Sequence, residues 1–397
     1  MEHILVPYNA GLQLGQGFNS FLQEPCLLNA VDIRRDSFRP RTASTSDPAT
    51  PSQTVTYNSR LVNSISDVFS ALNISPAVSV KLDTTQLPDV NIDDNKFAAS
   101  DFNALISVNV VNSTTRTQEE PRFIPLKVVE SDPSKFPDIY GDCYISGFLE
   151  GGVIHGLVSV KVLDSSIRSE VENLLKIQLS RLTSSDNTKP GDETDASSFK
   201  FAPGLIETTI TVNWSGGGQI NPGREAWTLD SLLSAAAKFP SMVEKSPMRT
   251  WAILTRYDRN SGFVKWAADK NVVIPDFSRA QQISSNLLDE FVVHKRNLSL
   301  LQAIMADPTA YVPSADKDAI TTDFRVLIEE RNKIRDERRK YSRIIDSLNR
   351  DPMGKPRFDI ADAISWARRL PVLKERPDTG MATTPPSEME LPPGLQF

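Results

Sequence analysis

The chain has 397 residues, 39% hydrophobic and 24% charged, with a formal net charge of −6, 2 Cys and 3 His. No window approaches the 18 or so uninterrupted apolar residues of a membrane-spanning helix, and the scattered Cys and His build neither a disulfide scaffold nor a zinc site. The acidic balance argues against nucleic acid as a partner; MEHILVPYNAGLQLGQG shows no secretory leader, so a cytoplasmic or non-classically secreted chain with reduced thiols is expected.

Residues 36–58 are rich in Ser, Thr and Pro and read as a loop or linker. Ser59 reads as the N-cap of a helix carrying Leu61, Ile65, Val68, Phe69 and Leu72, which Pro76 stops. Residues 77–82 (AVSVKL) alternate as a strand does, and 104–111 (ALISVNVV) form a second β-rich run. A third strand covers 153–163 and a fourth 205–214, with a helical pattern from Ile167 to Leu182 between them, followed by an almost apolar-free stretch, 183–198. Helices are expected at 229–238, 278–305 and, highly charged, 324–348; from Arg376 the Pro-rich tail reads as disordered. Long strands with helical or polar insertions between them predict an α+β fold around an antiparallel sheet.

No enzyme motif stands out. Gly15 and Gly17 come too early to follow a Rossmann strand, and no G-x-S-x-G, Walker A or H-E-x-x-H is present, so neither catalytic residues nor a cofactor or metal is expected. The basic cluster 335–340 is interleaved with Asp336 and Glu337 and reads as a solvated helix face. The informative stretch is YGDCYISGFLEGG, residues 140–152. Gly151 and Gly152 open the third strand, and Gly216, Gly217 and Gly218 follow the fourth. In a hairpin pair those positions lie side by side, so both groups mark one end of the sheet, as a bend or hinge there requires. The same glycines serve equally well as ordinary bulges and turns.

Aromatic-Gly-x-x-aromatic, six residues, then Gly-Gly resembles the signature of the membrane attack complex/perforin (MACPF) superfamily, with Tyr140, Gly141, Tyr144, Gly151 and Gly152 in its positions. Asp142 and Cys143 depart from the Thr or Ser, then His, usual there. WSGGG (214–218), then WTLDSLLSAAAKFP and PMRTWAILTRY, is similar to fungal members, and the resemblance covers roughly residues 1–265. It implies a bent, twisted four-stranded antiparallel sheet flanked by two helical clusters, as in MACPF proteins and cholesterol-dependent cytolysins. In pore-forming relatives these clusters unfurl into amphipathic β-hairpins and oligomers insert a giant barrel. The mapping places the clusters at 83–103 and 164–202.

A barrel strand needs about 9–11 residues of alternating polarity. Ile167, Val171, Leu175, Ile177 and Leu179 alternate with Arg168, Glu170, Glu172, Lys176 and Gln178, and the same segment also has a helical apolar stripe. In the first cluster only Val90 and Ile92 alternate with polar neighbours, and 183–198 offers no apolar face for a return strand. The expectation is a MACPF-like domain over 1–275, a helical C-terminal extension over 276–350 and a mostly disordered tail over 351–397. The expected function is pore formation, with further copies in a ring and a lipid membrane as partners; no lipid- or glycan-binding module is evident, which leaves room for a separate targeting subunit. The alternative is a non-lytic cytosolic protein of the same fold that binds or scaffolds other proteins. Bulky residues at Gly151 and Gly152 are expected to block insertion and leave a folded monomer.

Overall fold

The computed structural model describes residues 4–33, 53–87, 90–116, 119–183, 199, 201–202, 204–355 and 359–374. Polar stretch 184–198 and the tail from 375 lie outside them, as does most of the 36–58 linker. In chain order the elements are β1 (Ile4–Pro7), β2 (Gly17–Asn19), β3 (Thr54–Val62), α1 (Ile65–Ala71), α2 (Pro76–Leu82), α3 (Asp94–Ala99) and β4 (Phe102–Arg116). Then follow α4 (Phe136–Tyr140), β5 (Cys143–Val162), α5 (Arg168–Thr183), β6 (Ile206–Ser215), α6 (Leu229–Lys245), β7 (Met248–Arg256), α7 (Ser278–Ala306), α8 (Phe324–Arg350) and α9 (Ala363–Arg369).

The sheet's spine is β3-β4-β5-β6, antiparallel throughout, the four-stranded α+β arrangement that the resemblance implies. Around it the chain departs from the sequence expectations in three places. Thr54–Val62 is a strand, because Val55, Tyr57 and Leu61 alternate with exposed Thr54, Thr56, Asn58 and Arg60 and pack toward the core. The helix therefore starts after Ser64, not Ser59: Ser64 Oγ accepts from the Asp67 N–H while the Asp67 carboxylate accepts from the Ser64 N–H. Residues 76–82 are a helix, since Pro76 fits the first helical turn, where no donor is needed, and Pro76, Ala77 and Val80 share one buried stripe. β5 begins ten residues before the expected strand, so Gly151 and Gly152 lie inside it.

Alternation along the strands gives the sheet two unlike faces. One carries Ala104, Ile106, Val108, Val110, Ile154, Val158 and Val160, covered by α5 and α6. The other is polar in rows. Asn58, Ser107, His155 and Asn213 face one another across four strands, and the row of Asn103, Ser159 and Thr209 lies nearer the first insertion. On that face Val62, Leu105 and Leu157 join the apolar core formed by α1–α3 with α7 and α8. α9 lies within the span that composition reads as tail; its Trp366 packs edge-on to His294 of α7.

Candidate functional site

Tyr140 closes α4, and Gly141 is its cap, with φ of +75°. A β-carbon there would run into the Phe18 carbonyl, so the signature's first glycine lets β2 approach closely. Buried in an aromatic cluster with Phe123, Phe136 and Tyr257, Tyr140 donates its hydroxyl to the Ile124 carbonyl at 2.7 Å and accepts from the Leu126 N–H at 2.9 Å. Tyr144 packs on Tyr257 in the same cluster, ring centroids 5.4 Å apart. The two departures from the signature have a local partner. The Asp142 carboxylate accepts from the Ser20 N–H (2.7 Å), the Ser20 hydroxyl (2.6 Å) and the Cys143 thiol (3.3 Å), pinning the N-terminal loop to β5. Burial raises the Asp142 pKa and pushes the Cys143 thiol well above its ordinary range, so Cys143 is no nucleophile. Tyr140→Phe is expected to cost about 1–2 kcal/mol, because it strips both hydrogen bonds from a buried turn, read as a shift in the urea midpoint at unchanged slope.

The second glycine group sits where the sheet changes partners. On one side β5 pairs with β4 from Gly147 to Val160. On the other it pairs with β7 as far as Gly151 and with β6 from Val153 onward. At this junction both older neighbours slip by one residue: Asn112 is skipped between Ser113 and Val111, and Thr250 between Trp251 and Arg249. Two bulges at one level bend the sheet. Gly216, with φ of +77°, lies against the Gly151 carbonyl and the Gly152 Cα, so the structure brings the two glycine groups together. Gly217 (φ +72°) donates its N–H to the Ser246 carbonyl at 2.8 Å, and Gly218 (φ +66°) accepts from the Trp214 indole at 3.1 Å.

Sequence reasoning missed what these glycines pack against. Helix α6 crosses them. A β-carbon on Gly152 would meet Val243 and Phe239, and one on Gly156 would meet Leu232. The signal was available, since Gly152 and Gly156 are four apart in a strand and so share a face. Opposite α6, the bend opens into a cleft of about 250 Å³ lined by His155, Trp214, Trp251, Arg249, Leu72 and Ile74.

In the second insertion, α5 buries Val171, Leu175 and Leu179 against the sheet, with Ile167 half-buried and Ile177 46% exposed. The helical period accounts for the first three; Ile177 fits only the period-two pattern. In the first insertion Ile92 is buried in the core with α7, and Val90 belongs to a two-residue strand paired with residues 86–87, its side chain outside the description. The mapped limits of the first cluster need correction. It spans 63–101, bounded by β3 and β4, because the strand that leads into it is 54–62 and not 77–82.

Several solved structures are similar in fold to this chain. Stonustoxin is 9% identical, with a TM-score of 0.40 over 88% of this chain and 41% of that one. GNIP1Aa from Chromobacterium piscinae is 11% identical, with a TM-score of 0.34 over 70% and 59%. Wild-type pneumolysin is 10% identical, with a TM-score of 0.31 over 52% and 41%. The chain thus spans less than two thirds of the length of each. No family model and no curated protein matches. Among the described residues no three His, Cys, Asp or Glu side chains gather as a metal site would require, and no helix is long and apolar enough to cross a membrane.

Proposed function

We propose that this chain is a pore-forming, membrane-attacking protein that assembles edge to edge into a ring and inserts β-hairpins from residues 63–101 and 163–205. The observation that carries this reading is the connectivity of the spine. Each helical insertion is bounded at both ends by neighbouring antiparallel strands, β3 and β4 for the first, β5 and β6 for the second. An insertion that straightens therefore extends two strands already paired in register, and needs no new topology. The outer strands support assembly. Among the described residues β3 pairs only with β4 and β6 only with β5, so each leaves one row of N–H and C=O groups unpaired. Because β3 and β6 run in opposite directions, the β6 edge of one copy meets the β3 edge of the next as an antiparallel pair, and the alternation continues around a ring.

The sequence of α5 supports a change of state. Its buried residues follow the helix, while exposed Ile177 completes the alternation that a lipid-facing strand needs. In this reading residues 1–275 form the pore domain, 276–350 the helical extension and 351–397 a tail, and the protein becomes membrane-associated on assembly. The test is direct. Purified protein is incubated with dye-loaded vesicles of phosphatidylcholine, phosphatidylserine and cholesterol, and the same samples are imaged by electron microscopy. Release accompanied by rings is the expected result; neither release nor rings at micromolar protein would overturn the reading.

A further inference from the structure

The two insertions are held in different ways. α5 of the second lies on the apolar face, over β3, and its Ser59 contact is a single hydroxyl bond to the Leu179 carbonyl at 2.6 Å. The first insertion lies on the polar face, where Val62, Leu105 and Leu157 are the apolar residues that join its core. The rest of that core is supplied from elsewhere. Ile65, Val68, Phe69, Ala77, Val80, Ile92 and Phe97 pack with Leu287, Leu288, Phe291 and Val292 of α7 and with Tyr341, Ile344, Ile345 and Leu348 of α8.

Polar contacts follow the same division, apart from the ion pair between Arg168 of the second insertion and Asp101 of the first. The Asp289 carboxylate of α7 accepts from the Ser66 N–H at 3.1 Å and from its hydroxyl at 2.6 Å, holding the first turn of α1. Lys295 of α7 reaches the nearly buried Asp94 carboxylate at the start of α3, N to O 2.5 Å, and donates to the Thr85 hydroxyl at 2.9 Å. Arg338 of α8 pairs with Asp83 at the end of α2 (2.5 Å) and lies over the Phe291 ring of α7. Lys81 stands 3.9 Å from Asp346 of α8. Each of the three helices of the first insertion is thus tied to α7 or α8.

We propose that α7 and α8 are a lock on the first insertion: residues 63–101 leave the sheet only after the C-terminal helix pair lets go, whereas α5 of the second insertion shares no apolar core with that pair and is not held by it. The proposal rests on the pore-forming reading and adds an order of events to it. An apolar layer shared between two elements exposes both halves when one departs, so the first insertion cannot leave without also stripping α7 and α8 of their cover. The buried apolar positions of the second insertion, Val171, Leu175, Leu179 and Leu182, share their layer with the sheet and α6 instead, not with α7 or α8.

The test removes the polar ties from the lock side and reads two quantities on the full chain. In Asp289→Ala/Arg338→Ala, amide hydrogen exchange over 65–82 is expected to rise at least tenfold while 168–178 is unchanged, and dye release from the vesicles above to quicken several-fold. Asp289→Asn, which keeps the side-chain shape, serves if the double variant does not fold. Unchanged exchange over 65–82, or faster exchange with unchanged release, overturns the lock. If the wild-type protein releases no dye at all, the pore-forming reading fails separately, and the lock is then judged on exchange alone: loosening of 65–82 without 168–178 supports it, joint loosening of both overturns it.

Discussion

Gly152→Ala is expected to destabilise the folded monomer by about 2–3 kcal/mol, and Gly151→Ala by about 3 kcal/mol or more. The two differ in what the new methyl group meets. At Gly152 it strikes the Val243 methyl and approaches Phe239 Cζ to 3.0 Å, both side chains of α6 that a second substitution can shorten. At Gly151 it strikes the carbonyl of Val110 in β4, which is backbone and cannot be shortened. Gly152→Ala with Val243→Ala is therefore expected to be more stable, by about 1–2 kcal/mol, than the sum of the two single effects. No side-chain substitution on α6 rescues Gly151→Ala. Urea denaturation of the four variants measures this; a Gly151→Ala protein as stable as wild type would refute it. This corrects the expectation that bulky residues here leave a folded but non-inserting monomer. The positions are too tightly packed for a larger side chain to enter the folded state, so lost activity in such variants reports lost folding. A hinge role is better tested at Gly218, where φ is +66° but the nearest atoms to an added β-carbon are 3.8 Å away.

The second half of the spine was legible from the chain. The run VIHGLVSVKV and the run IETTITVNWS alternate cleanly, and the segment between them is helical although Val171, Leu175 and Leu179 fit both periods. That Gly151–Gly152 and Gly216–Gly218 lie together also follows from antiparallel register alone. The first half was not legible, for two local reasons. Thr54–Val62 follows a Ser/Thr/Pro-rich stretch that masks its start, and Leu61 happens to fall on the helical spacing of α1. AVSVKL alternates by coincidence, and Pro76 in the first turn together with packing against α7 and α8 decides for a helix. The bulges at Asn112 and Thr250 leave no trace in sequence, because a bulge is a property of a pair of strands.

The unlike faces of the sheet tie the bend to acidity. His155 lies on the polar face beside the cleft; its Nδ1 is 2.9 Å from the Ser107 hydroxyl, Asn213 is its cross-strand partner, and Leu72 and Ile74 of the first insertion close over it. The one charged side chain lining that cleft is Arg249, already held over Phe148 and paired with Glu150, so no carboxylate faces the imidazole there. Burial lowers its pKa from 6.5 to about 4. A histidine depressed in the folded state contributes stability that is present above pH 6.5 and is lost as pH falls toward 4, where the unfolded chain takes up a proton that the folded chain refuses. The loss is about 2–3 kcal/mol, allowing for partial exposure of the ring. His294, buried between α7 and α9 with its Nε2 on the Ala361 carbonyl, is shifted the same way by burial and adds to the loss. Asp142 and Asp289 are shifted up by burial, so their protonation favours the folded state and opposes this loss. Stability measured from pH 7 to 4.5 is therefore expected to fall for the wild-type protein and to fall less for His155→Gln, which keeps a hydrogen bond to Ser107 and carries no proton. Equal slopes for the two proteins would remove His155 from the account. A shallower slope for the variant would place the acid-sensitive charge directly beneath the 72–74 turn, where a proton loosens the seam between the first insertion and the sheet.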